Sequence, residues 1–146
     1  VSRPTIPSTS LVKPTLDTRF HIDYEWWERS GEDLRLYMLQ HLCEAHRQEL
    51  TDHEPQVELD WVDPETGEVK RVNYLNYTLL KHCSQQPDYI TERTSLVDAV
   101  FRALLAVGNR PLTPVELAVY TRRPAEMILR TLSGRTVYKG LRPVVE

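Results

Sequence analysis

Residues 94–146, TSLVDAVFRALLAVGNRPLTPVELAVYTRRPAEMILRTLSGRTVYKGLRPVVE, decide the fold. From Ser95 to about Val107, Leu96, Val97, Val100, Phe101, Leu104 and Leu105 recur at helical spacing, which predicts a helix with one apolar face. Gly108-Asn109 supplies its stop. Thr113-Pro114-Val115-Glu116 then offers a capping hydroxyl, a proline at the first helical position and a glutamate at the third. That is a second helix start, with Leu117 and Ala118 facing inward. The helix breaks at Thr121-Arg122-Arg123. A third helix is expected from Pro124, burying Ile128 and Leu132 and ending at Ser133-Gly134. Thr136-Val137-Tyr138 and Pro143-Val144-Val145 flank Lys139-Gly140-Leu141-Arg142 and predict a small terminal hairpin.

Upstream, the pattern changes character. Residues 1–18 are rich in Pro, Ser and Thr, without helical or strand period, and predict a disordered arm. Phe20 to Trp26 alternates apolar and polar residues, as a strand with Phe20, Ile22, Tyr24 and Trp26 inward would. Trp27 then falls on the opposite side of the strand, where packing into the core or between lobes is the commoner use of such a residue and a docking patch the alternative. Ser30, with Asp33 three residues on, predicts the cap of a helix over Gly31 to about Leu50, carrying Leu34, Met38, Leu42 and Ala45 on one stripe. Val57–Val62 and Glu68–Val72 flank a Pro- and Gly-containing turn and predict a hairpin in which Trp61 joins the core. A short helix from Asn73 to about Cys83 completes a lobe of strand, helix, hairpin and helix. The expected fold is therefore α+β. It comprises an arm over 1–18, an α+β lobe over 19–93 and a three-helix segment over 94–146.

The stretch Leu104–Val145 resembles the winged helix-turn-helix superfamily. The resemblance covers about the last third of the chain. It rests on the helix lengths, the small Ala118 in the second helix, the short turn and the terminal hairpin. Arg122 departs from the pattern, because such turns often carry glycine there; a longer or differently shaped turn is one consequence to expect. In nucleic-acid-binding members of that superfamily the last helix enters the major groove and the wing touches the backbone. The resemblance implies that Arg122 and Arg123 stand near the start of that helix. It places Arg130 and Arg135 along its exposed side and exit, and Lys139 and Arg142 on the wing. Guanidinium groups suit phosphate because their fork of N–H donors matches its oxygens. Thr131 and Ser133 could add a hydroxyl contact. Glu126, on the first turn of the same helix, opposes phosphate.

The net charge of −3 names no partner, but its distribution is uneven. Residues 1–94 carry 10 Lys/Arg against 17 Asp/Glu, whereas residues 95–146 carry 8 against 4. Such asymmetry points to an interaction surface. No apolar run approaches the roughly 18 residues of a membrane span. No basic-then-apolar leader opens the sequence, so an intracellular, cytoplasmic protein is expected. The two cysteines are then expected as thiols or metal ligands.

Cys43 and His46 stand three apart on the expected first helix of the lobe, and His82 and Cys83 end the second. Four such groups could hold a structural zinc in a closed tetrahedral site, although two buried cysteines with surface histidines is the commoner arrangement. Adjacent residues on a helix diverge by about 100°, so His82 and Cys83 converge only if the helix ends there. His21, Asp23 and Glu25 share the polar side of the first strand, with Asp60 and Asp63 as further carboxylates; a divalent-cation site is one use of them, and a wet strand face is the commoner one. No phosphate loop, nucleophile elbow or paired-His zinc motif is present. The expected function is thus non-enzymatic: binding of duplex DNA, with the acidic lobe holding a protein partner or mediating self-association. The alternative is an adaptor that uses the C-terminal segment to dock another protein.

Overall fold

The computed structural model describes residues 13–43, 47, 58–62, 65–73, 75, 78–79 and 82–144. The chain divides into two compact units, one of residues 1–31 and 90–146, the other of residues 32–89. The first holds 13 Lys/Arg against 9 Asp/Glu (+4), the second 5 against 12 (−7). Together they are a small mixed α+β protein.

In the first unit, β1 (Phe20–Ile22) leads into α1 (Tyr24–Ser30). The strand expected over residues 20–26 is thus three residues long. Asp23 stops it: in extended conformation, its carboxylate accepts the Glu25 N–H at 3.0 Å and caps α1. The switch to helix also exchanges the tryptophans. Trp27 is buried, at 3% exposure, and Trp26 lies at the half-buried margin, the reverse of a strand's alternation. Ser30 does not open the next helix but ends α1, its hydroxyl donating to the Trp27 carbonyl before Gly31 turns left-handed.

The expected C-terminal helices form as α3 (Leu96–Ala106), α4 (Pro114–Thr121) and α5 (Ala125–Leu132). Ser95 caps α3 through the Asp98 N–H. Gly108 (φ 66°) closes it: Gly108 N–H reaches Leu105 O and Asn109 N–H reaches Leu104 O, a Schellman ending. Thr113 and Glu116 form a full capping box on α4. Buried Val100, Phe101, Leu104, Leu117, Ile128 and Leu132 supply most of the unit's helical core, with α4 in contact with both α3 and α5.

The terminal hairpin is where expectation and structure part. Thr136–Tyr138 forms no strand; instead β4 (Leu141–Pro143) pairs antiparallel with β1, Phe20 opposite Pro143, His21 opposite Arg142 and Ile22 opposite Leu141. On its other side β1 bridges to Leu112, with Phe20 N–H to Leu112 O at 2.8 Å and the reverse bond at 3.0 Å. The local cause is a tight turn. Lys139 and Gly140 both adopt positive φ (53° and 75°) and Leu141 N–H returns to Tyr138 O. Asp23 N–H then bonds Gly140 O at 2.7 Å, which delivers the chain to β1. A Cβ on Gly140 would lie 2.9 Å from Trp27 Nε1, so only glycine fits this corner.

The second unit contains α2 (Leu34–Leu39), capped by Asp33, and the antiparallel pair β2 (Glu58–Val62) and β3 (Val69–Asn73). The hairpin matches the sequence expectation to within one residue; the Trp61 side chain lies outside what is described. The helix expected to reach Leu50 is interrupted: α2 stops at Leu39 with Gln40 as its cap, Arg47 is helical again, and its guanidinium donates to the Gln40 and Leu42 carbonyls. Leu75, Thr78 and Leu79 are helical, and Cys83–Gln85 is a 3₁₀ turn. Of the N-terminal arm, residues 1–12 lie outside the described set; Thr15–Thr18 makes a hydrogen-bonded turn.

Candidate functional site

The α4–α5 corner carries most of the residues that the sequence singled out. Arg122 occupies the left-handed position (φ 59°) that ends α4, its N–H bonded to Ala118 O. An arginine therefore takes the conformation glycine usually supplies, and the turn stays short. Its side chain is exposed, as are those of Arg130 on the last turn of α5 and Arg135 just beyond it. The eight residues of α5 rise about 12 Å, so these cations bracket one helix.

The other three cations are engaged by groups of the protein itself. Arg123 sits on carbonyls: its guanidinium donates to Thr121 O at 2.8 Å, to Thr94 O, and more distantly to Glu92 O and Thr91 O. It fastens the α4–α5 turn to the loop that precedes α3. Arg142 donates to the Asp23 carboxylate at 3.3 Å. Lys139 places its ammonium 5.9 Å from the centre of the Trp27 ring and accepts the indole N–H on its carbonyl at 3.1 Å. The Thr131 hydroxyl donates to Met127 O within α5. Glu126, at the first turn, is exposed.

Exposed apolar side chains lie on the same two helices. Val119 is 77% exposed, and Val115, Tyr120 and Met127 are each exposed by two-fifths or more. Val115 and Val119 are one turn apart and share a face of α4.

Of the proposed zinc ligands, two come together. Cys43 and Cys83 place their sulfurs 3.4 Å apart, and Cys43 N–H points at Cys83 Sγ at 3.1 Å. Burial pushes the Cys83 thiol up to about 12. His82 precedes the 3₁₀ turn, and His46 lies outside the described residues. Among the described residues, no three Cys, His, Asp or Glu side chains are grouped to hold a metal.

The carboxylates expected on the first strand stand instead at the start of α1, where Asp23 and Glu25 line an open cavity of about 520 Å³ with His21, Arg29, Asn109 and Arg142. Asp23 is paired with Arg142, and Arg29 lies 3.9 Å from it and 3.6 Å from Glu25. Cations thus already occupy the place a divalent metal would take. Asn109 was missed in the sequence as anything but a helix stop. Its side-chain amide binds both backbone groups of Ile22, at 2.8 and 3.0 Å, like a one-residue strand. The signal for this role is its own type: asparagine tolerates positive φ and carries a donor beside an acceptor.

No helix among the described residues is long and apolar enough to cross a membrane. Compared with models of known families, with curated proteins and with solved structures, the chain matches none.

Proposed function

We propose that this protein is a non-enzymatic, regulatory DNA-binding protein whose 90–146 segment is a variant winged helix-turn-helix, with β1 standing in for one strand of the wing. The observation that supports it is the trio of exposed arginines, Arg122, Arg130 and Arg135, bracketing α5 on the unit that carries the positive charge. Their guanidinium groups meet phosphate oxygens at the two ends of the helix, while its exposed side faces the groove. Arg123, Arg142 and Lys139 are engaged by carbonyls, by Asp23 and by Trp27, so the electrostatic footprint is small and binding is modest. The acidic unit repels DNA and serves a protein partner or self-association.

Anisotropy of a fluorescent duplex tests this. The expected Kd is on the order of 1 μM at low salt, weakened at least roughly tenfold in Arg122→Ala/Arg130→Ala/Arg135→Ala. Absence of binding at low salt, where attraction is strongest, would exclude the proposal. It would leave the second reading, a docking adaptor, which the exposed Val115, Val119, Tyr120 and Met127 favour. Val119→Asp would abolish docking and leave phosphate contact nearly unchanged.

A further inference from the structure

We propose that Cys43 and Cys83 form a reversible intramolecular disulfide, a redox clasp within the 32–89 unit. The two sulfurs are 3.4 Å apart although 40 residues separate them in sequence. A disulfide bond is about 2.05 Å long, so closure needs an approach of roughly 1.4 Å, within reach of small side-chain rotations. The Cys43 N–H bond to Cys83 Sγ holds that sulfur against the backbone of its partner. The two sites also differ in access. Cys83 is fully buried, whereas Cys43 is half-buried and reachable from solvent.

That asymmetry orders the chemistry with a low-molecular-weight disulfide, RSSR, as oxidant. The Cys43 thiolate attacks RSSR, forming a mixed disulfide and releasing one thiolate. Cys83 then loses its proton to water, its sulfur attacks Cys43 Sγ, and the second thiolate leaves. The protein dithiol loses two electrons and two protons, and RSSR becomes two RSH. The raised Cys83 thiol slows the closing step at neutral pH, while the Arg47 charge acts in the opposite sense. For the reverse reaction the same thiol is a poor leaving group, so the closed form resists reduction at Cys43.

The test uses the full chain, purified reduced and assayed for zinc, then incubated with oxidised glutathione. The expected results are zinc-free protein, simultaneous loss of both thiols and a single Cys43–Cys83 peptide in a non-reducing digest. The melting temperature should rise on the order of 10 °C, because the crosslink closes a long loop, and should return on reduction. Cys43→Ser and Cys83→Ser should each prevent closure. The former sits at a half-buried position, so its folding checks that the loss is chemical. A stable glutathione adduct on Cys43 beside an intact Cys83 thiol would overturn the clasp. So would one zinc per chain that protects both thiols until a chelator is added, which would establish a metal site instead.

Discussion

Gly140→Ala attacks the corner that joins the C-terminal turn to β1. Three costs follow from the structure. The residue lies at φ 75°, where an L side chain costs about 1–2 kcal/mol. Its Cβ would sit 2.9 Å from Trp27 Nε1 and 3.0 Å from Asp23 O, and such overpacking costs about 1–3 kcal/mol. Displacing the indole would weaken its bond to Lys139 O, worth about 1 kcal/mol. These terms overlap, because relief of one relieves another, and about 3 kcal/mol is expected. Urea unfolding in a Trp61→Phe background, where emission comes from Trp26 and Trp27 alone, reads it out. With a slope of about 2 kcal/mol/M the midpoint should fall by about 1.5 M. Gly134→Ala is the control: nothing lies within 4 Å of its added Cβ, and the midpoint should barely move. A Gly140→Ala midpoint within about 0.3 M of the parent would refute the packing assigned to this corner.

Asn109→Ala removes both bonds to the Ile22 backbone and should cost about 2–3 kcal/mol by the same assay, with Asn109→Asp no milder because a carboxylate would face the Ile22 carbonyl. Arg123→Ala should lower stability by about 2 kcal/mol, since carbonyls of the turn and of residues 91–94 lose their donor; its effect on DNA affinity should be small. The Thr113 N–H bond holds the Glu116 carboxyl below its ordinary value of 4.5. A depressed folded-state value means that the cap stabilises above about pH 4.5 and is lost as pH falls through the folded value. Thermal melts from pH 6 to 3 should therefore show wild type losing more stability than Glu116→Gln, whose amide keeps the accepting oxygen without titrating.

The parts of the fold that were legible in sequence are those whose cause is local. The Thr113–Glu116 box and the Gly67 hairpin each act within a few residues, and each formed where expected. The pairing of Phe20–Ile22 with Leu141–Pro143 depends on groups about 120 residues apart, and nothing near either segment announces it. The tryptophan exchange has a nearer cause. Asp23 was counted as a polar strand position, yet its carboxylate competes for backbone N–H groups and opens a helix. At the candidate site, sequence placed six cations on one surface by analogy. The structure leaves Arg122, Arg130 and Arg135 outward, because carbonyls, a carboxylate and an indole claim the others. Which cation is engaged depends on the loop that meets it, and that loop was legible only in three dimensions.

The salt dependence of duplex binding tests the central claim most directly. Each phosphate contact contributes about 0.9 to the slope of log affinity against log salt. If the three exposed arginines make those contacts, Arg122→Ala/Arg130→Ala/Arg135→Ala should reduce the slope by about 2–3, while Arg123→Ala, still folded at the assay temperature, should leave it unchanged. A triple variant with the parent's slope, or a parent that binds no duplex at low salt, would contradict the account.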